Sequence, residues 1–154
     1  MIAAPPPGDG VAVVIDDDGG FVGPTAAAAL AEQGWSVTIA TPLPALAAEV
    51  DATQVRFVHE RLMKAAPTVI PDVRLLPDEG PDVVLEHVLT GAVRTITAPG
   101  VVAVAGHRQA EDTLRGELLA AAPALEVHVV GDARAPRGFD AATAEGALTG
   151  AAIP

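Results

Sequence analysis

Cysteine is absent from the 154 residues. That excludes, within this chain, disulfides, thiolate nucleophiles, cysteine-ligated zinc and cysteine-held iron–sulfur clusters. Positive charge is scarce. Nine basic residues face twenty acidic ones, the formal net charge is −11, and Lys64 is the lone lysine. A nucleic-acid binder needs the opposite balance to neutralise phosphates, and an anionic membrane surface would repel this chain. No apolar run reaches the ~18 to 20 residues that span a bilayer. The start, Met1 to Pro7, has neither a basic stretch nor an apolar one, so no signal peptide is expected and a cytoplasmic location is. No G-x-S-x-G elbow occurs, and no two of His59, His87, His107 and His128 stand three or four apart. Hydrolase and metal-site readings therefore have no footing.

Half the residues are hydrophobic, only 3% are aromatic, and mean hydropathy is +0.38. The apolar content is thus mostly Ala, Val and Leu, a composition suited to close helix-on-sheet packing. Three prolines and two glycines make residues 1–10 a loose tail by expectation. Val11 to Ile15 is a short β-branched run, the mark of a buried parallel strand. It leads into Asp16-Asp17-Asp18-Gly19-Gly20-Phe21-Val22-Gly23, and Pro24 opens an Ala-rich helix that Gly34 stops. Ser36 to Thr41 is a second strand. The unit is β-α-β, which implies a right-handed crossover and a parallel pair.

Further on, Thr53 to Ala66 predicts a helix with Val55, Val58 and Leu62 on one face and a Glu60/Lys64 i,i+4 pair on another. Thr68–Ile70 and Val73–Leu76 are short extended pieces. The runs 82–88 and 92–96 around Leu89-Thr90-Gly91 predict an antiparallel hairpin where a simple doubly wound fold places a helix. Residues 100–106 return to a buried strand. Gln109 to Ala121 predicts a helix with Ala110, Leu114, Leu118 and Ala121 inward. Glu126 to Val130 predicts a strand, and Asp140 to Ala152 a closing helix. The fold class is α/β: Rossmann-like, doubly wound, with a mainly parallel sheet and an inserted antiparallel hairpin.

The first turn has the outline of a dinucleotide-binding G-x-G-x-x-G motif, whose glycines let a pyrophosphate approach a helix N-terminus. In the frame ending at Gly23, Gly20 and Gly23 hold the second and third places, Asp18 holds the first, and Asp16 and Asp17 add charge. Thr41 stands where an acidic residue would bind ribose, and no Arg follows for a 2′-phosphate. Two readings stay open: a nucleotide site, and a turn whose glycines serve packing alone. Gly106, His107 and Arg108 follow the later strand at its C-terminal end, where open α/β sheets bind ligands.

These residues resemble a known family. The stretches Asp16–Gly23, Val37–Pro42, Val83–Gly91, Val104–Arg108 and Gly131–Arg137 look like the C-terminal region of the three-domain, old-yellow-enzyme-like flavin oxidoreductases. That family includes trimethylamine dehydrogenase and the 2,4-dienoyl-CoA reductases. Its actinobacterial, mycofactocin-associated branch looks closest. The resemblance covers roughly residues 11–153. It implies a pyridine-nucleotide-type domain over 11–125 and the last strand and helix of an interrupted flavin- or ADP-type domain over 126–154. It implies that an FMN barrel and a 4Fe-4S cluster belong to family domains not in this chain, which would then be a short or truncated chain. Asp132 matches the family's aspartate near the flavin or ADP moiety. The cofactor-binding candidates are therefore Gly19, Gly20, Gly23, Thr41, Gly106, His107, Arg108 and Asp132.

The resemblance implies that the aspartate-rich turn is a degenerate nucleotide site, in an auxiliary domain that holds no cofactor firmly. NAD(P)H or FAD/ADP would bind weakly at best, and redox catalysis would need a bound cofactor. The alternatives are a working NAD(P)H module that serves a separate flavoprotein, and a purely structural packing domain. The expected partners are a barrel or flavoprotein subunit, or a second copy of this chain.

Overall fold

A computed structural model describes residues 8–153, in two compact units that divide between His107 and Arg108. The sequence reading placed its boundary later, after residue 125. The expected loose tail lies outside the described residues as far as Pro7. From Gly8 the chain is held: Gly8 N–H donates to the Gln33 carbonyl at 3.3 Å and Ser36 N–H to the Gly10 carbonyl at 2.9 Å. Gly8, Gly10 and Gly100 all border the Trp35 ring, so side chains there would meet indole carbons.

In the first unit, β1 (Val11–Asp16), β2 (Ser36–Ala40), β3 (Thr68–Ile70) and β7 (Val101–Ala105) form a parallel sheet in the order β3-β2-β1-β7. β1 is central because it is apolar on both faces; from Ala12 to Asp16 every residue is buried. Alternation sends Ala12 and Val14 to one side and Val13 and Ile15 to the other. On the first side, Ala12 and Val14 meet Ala27 and Leu30 of α1 (Val22–Glu32) and Leu62 of α2 (Val55–Ala65). The small alanines of α1 let its axis lie close to the sheet. Pro24 sits in the first turn, where no N–H is required, and Gly34 closes the helix at φ +97°. The expected pair is present on α2: Lys64 Nζ lies 2.7 Å from Glu60 Oε1.

The other face of this sheet is packed differently. A three-stranded antiparallel sheet covers it, with β4 (Val73–Leu76), β5 (Val83–His87) and β6 (Val93–Ile96) in the order β4-β5-β6. The hairpin is the β5–β6 pair, in the register Val83↔Ile96 to Glu86↔Val93. The piece at Val73–Leu76 joins it as a third strand. Val73, Val83 and Leu85 pack on Val13, Ile15 and Ala40. The fold is thus a Rossmann-like α/β fold in which the antiparallel element replaces a helix layer.

The second unit holds α3 (Thr113–Ala121), a single 3-10 turn at Gly131–Ala133 and α4 (Phe139–Ala152). Three expectations are corrected here. α3 begins at Thr113, not Gln109; the Glu111 carboxylate accepts the Thr113 N–H at 3.0 Å and turns the chain before the helix starts. Ala110, Leu114, Leu118 and Ala121 are exposed rather than inward, Leu114 at 65%. Residues 126–130 form no ladder. A strand needs a neighbour for its N–H and C=O groups, and among the described residues none pairs with this segment. No helix among the described residues is long and apolar enough to cross a membrane.

Candidate functional site

β1 runs out at Asp16 beneath the start of α1. The N–H groups of Asp17 and Asp18 both donate to the Ala105 carbonyl, at 2.9 and 3.1 Å. This ties the first turn to the end of β7 and sets Gly106 and His107 at the same sheet edge. Thr41 is buried at the end of β2; its N–H donates to Ile70 O at 3.0 Å and its hydroxyl accepts the Leu43 N–H at 3.3 Å. That hydroxyl shapes the loop after β2. The loop lies on the first turn, with Glu49 N–H donating to Gly19 O at 3.0 Å.

The glycines define what space the turn leaves. Gly19 has φ +67°, and a Cβ there would stand 2.5 Å from Leu43 Cδ1 and 3.2 Å from Glu49 Cγ. A Cβ on Gly20 would stand 2.6 Å from Asp18 Oδ2. A Cβ on Gly23 would stand 2.5 Å from Asp16 Cγ. In a dinucleotide site such clearances admit the pyrophosphate and the helix. Here Leu43 and Glu49 stand against Gly19, Asp18 against Gly20 and Asp16 against Gly23, the last being the close helix-on-strand packing that a third glycine serves. At Gly106 a Cβ would meet only an ordinary contact, Val104 Cγ1 at 3.9 Å. His107 is exposed.

Asp16, which counts in the sequence as added charge beside Asp18, has a fully buried side chain, with Oδ1 accepting the Gly19 N–H at 3.2 Å. Burial pushes its carboxyl up to about 6 against the pull of that N–H, and Asp18 and Asp17 push the same way. The signal was available. Ala12, Val14 and Asp16 share one strand face, and Gly23 is where α1 meets that face.

Arg108 and Asp132 belong to the second unit. Arg108 Nη1 lies 3.3 Å from Asp132 Oδ2, and the Arg137 N–H donates to Asp132 Oδ1 at 3.3 Å. Beside them Glu145 accepts the Gly131 N–H at 2.9 Å and pairs with Arg134 and Arg137. The Arg137 guanidinium, then the Gly131 N–H, hold the Glu145 carboxyl below the usual range. Asp132 thus sits in a polar clasp that fixes the turn at Gly131 (φ +64°) against α4. No group of three or more His, Asp or Glu among the described residues is placed to hold a metal ion.

No family model and no curated protein sequence matches the chain. Solved structures do. The histamine dehydrogenase of Rhizobium sp. 4-9 is 22% identical with a TM-score of 0.77, over 94% of this chain and 23% of its own. The 6-hydroxypseudooxynicotine amine oxidase of Pseudomonas geniculata N1 is 24% identical with a TM-score of 0.77, over 91% and 21%. A 2-naphthoyl-CoA reductase is 26% identical with a TM-score of 0.70, over 95% and 21%. All three are oxidoreductases by name. The chain spans between a fifth and a quarter of their length.

Proposed function

We propose that the first unit is a Rossmann-like auxiliary domain of a flavin-dependent oxidoreductase whose first-turn dinucleotide site is closed. The single observation that carries this is the packing of Leu43, Glu49 and Asp18 against Gly19 and Gly20. The oxidoreductase part rests on the resemblance, on the fold and on the names of the structures it is similar to. Residues 108–153 would supply the end of a flavin- or ADP-type domain, with Asp132 its nucleotide-side residue. Redox chemistry would reside in a flavin and a cluster held by a barrel or flavoprotein partner, and this chain would position and shield that assembly.

Magnitudes favour closure. Two like charges ~4 Å apart repel by about 1 kcal/mol in water and about 4 kcal/mol at a protein surface. A helix N-terminus returns only ~0.3 to 1 kcal/mol to an anion. One aspartate beside a pyrophosphate cancels that gain, and Asp17, Asp18 and Glu49 all border this turn. Calorimetric titration with NADH and NADPH is the test. The expectation is no saturable binding in the micromolar range. The Asp17→Ala/Asp18→Gly variant should bind more tightly than the parent, most of all at low salt. Micromolar binding by the unaltered chain would overturn the reading in favour of a working NAD(P)H module.

A further inference from the structure

The Asp16 carboxyl closes the end of β1, with one oxygen accepting the Gly19 N–H. It is fully buried, and its Oδ2 has no protein hydrogen-bond partner among the described residues. A neutral carboxyl tolerates such an orphaned oxygen; an ionised one is penalised severely. Among the described residues the Gly19 N–H on Oδ1 favours the negative charge, and burial of the carboxyl outweighs that pull. From α1 it meets the uncharged Gly23, and the first turn of that helix has no charged residue. On its own turn stand Asp17 and Asp18. The loop over Gly19 contributes Glu49. β2 ends in Thr41, whose hydroxyl is engaged with the Leu43 N–H. In β7 its ladder partner is Ala105, and the titratable group on that strand's continuation is His107, exposed two residues on.

We propose that Asp16 is a proton-operated latch on the first turn. Neutral, it stays under α1 with Gly19 closed over it; ionised, its burial cost outweighs the strengthened Gly19 bond, and the carboxylate reaches water by opening the turn and the loop that rests on it. The coupling is mechanical. Oδ1 holds the Gly19 N–H, the Gly19 carbonyl holds the Glu49 N–H, and the Leu43 side chain lies on Gly19. The latch depends on the buried carboxyl alone and stands whether or not the chain serves a flavoprotein. Its pH window follows from an ordinary value of 3.8 raised to about 6. An acid whose pKa is raised by folding carries no penalty below its unfolded value, and the full penalty above its folded one. Stability therefore falls as pH rises from about 4 through about 6, the reverse of a salt-bridged carboxylate.

The experiment uses the full chain. Carbon-13 NMR follows the Asp16 carboxyl, and amide exchange is read at Gly19 and Glu49 at about pH 5 and about pH 7.5. We expect Asp16 to titrate near 6. Protection at the two amides, corrected for intrinsic rate, should drop about tenfold or more between those conditions, while Val13 and Val14 hold. Asp16→Asn keeps the shape and removes the charge, and its unfolding midpoint should stay level where that of the parent declines. An Asp16 midpoint at or below 4, or unchanged protection, would overturn the proposal. Should Asp16→Asn fail to fold, titration and exchange in the unaltered chain decide it.

Discussion

At the scale of single residues, Asp16 and Gly23 form one unit of packing. A methyl group on Gly23 would stand 2.5 Å from Asp16 Cγ and 2.6 Å from its Cβ. Neither atom can retreat, because the strand behind is buried on both faces. Gly23→Ala should therefore cost about 1 to 3 kcal/mol through overpacking. With Asp16→Ala already in place that cost should fall, because the carboxyl carbon is gone, but not vanish, because the Cβ 2.6 Å away remains. A double-mutant cycle by chemical denaturation reads the coupling directly, and additive effects would show that the two residues do not share this space. The rise of the Asp16 carboxyl from 3.8 to about 6 corresponds to at most about 3 kcal/mol lost across that window. The glycines of the first turn, Thr41 and the aspartates stood out in the sequence as candidates, and the structure brings them to the ends of β1 and β2. Which carboxyl lay inside was not legible, because three consecutive aspartates read alike until strand parity assigns Asp16 inward and Asp17 to the turn.

Elements followed the sequence wherever their own pattern decided them. β1, α1 and β2 lie within a few residues of expectation because β-branched runs, Pro24 and Gly34 punctuate them locally. The hairpin was legible from its turn at Leu89-Thr90-Gly91, but Val73–Leu76 was not legible as its third strand. Its register with β5, Val73↔His87 to Leu76↔Val84, is a tertiary fact with no local mark. α3 failed for a related reason. Its leucines are spaced for an inward face, yet an apolar stripe names no partner, and none of its residues is buried. Leu85 shows what a correct partner is worth. It is fully buried, at the centre of the three-stranded sheet against the parallel one. Leu85→Ala should cost about 2 to 5 kcal/mol by equilibrium unfolding. A cost below about 1 kcal/mol would mean that the antiparallel layer is not fixed on Val13 and Ile15.

For the whole molecule, the strand order β3-β2-β1-β7 has a kinetic consequence. β1 meets β2 across a single helix, and β4, β5 and β6 meet their neighbours across short turns. β7 pairs with β1 from the far end of the first unit, Ala12 opposite Val101. Closing that contact costs the most chain entropy, so it should form last on the way to the native state. Substitutions in β7 should then leave the refolding rate nearly unchanged and speed unfolding, whereas those in β2 should slow refolding. Stopped-flow chevrons of Ala103→Gly and Ile39→Val separate the two. During synthesis the nascent chain would present the apolar side of β1, still unpaired on one edge, until Val101–Ala105 has emerged. That interval exposes an open strand edge to other chains.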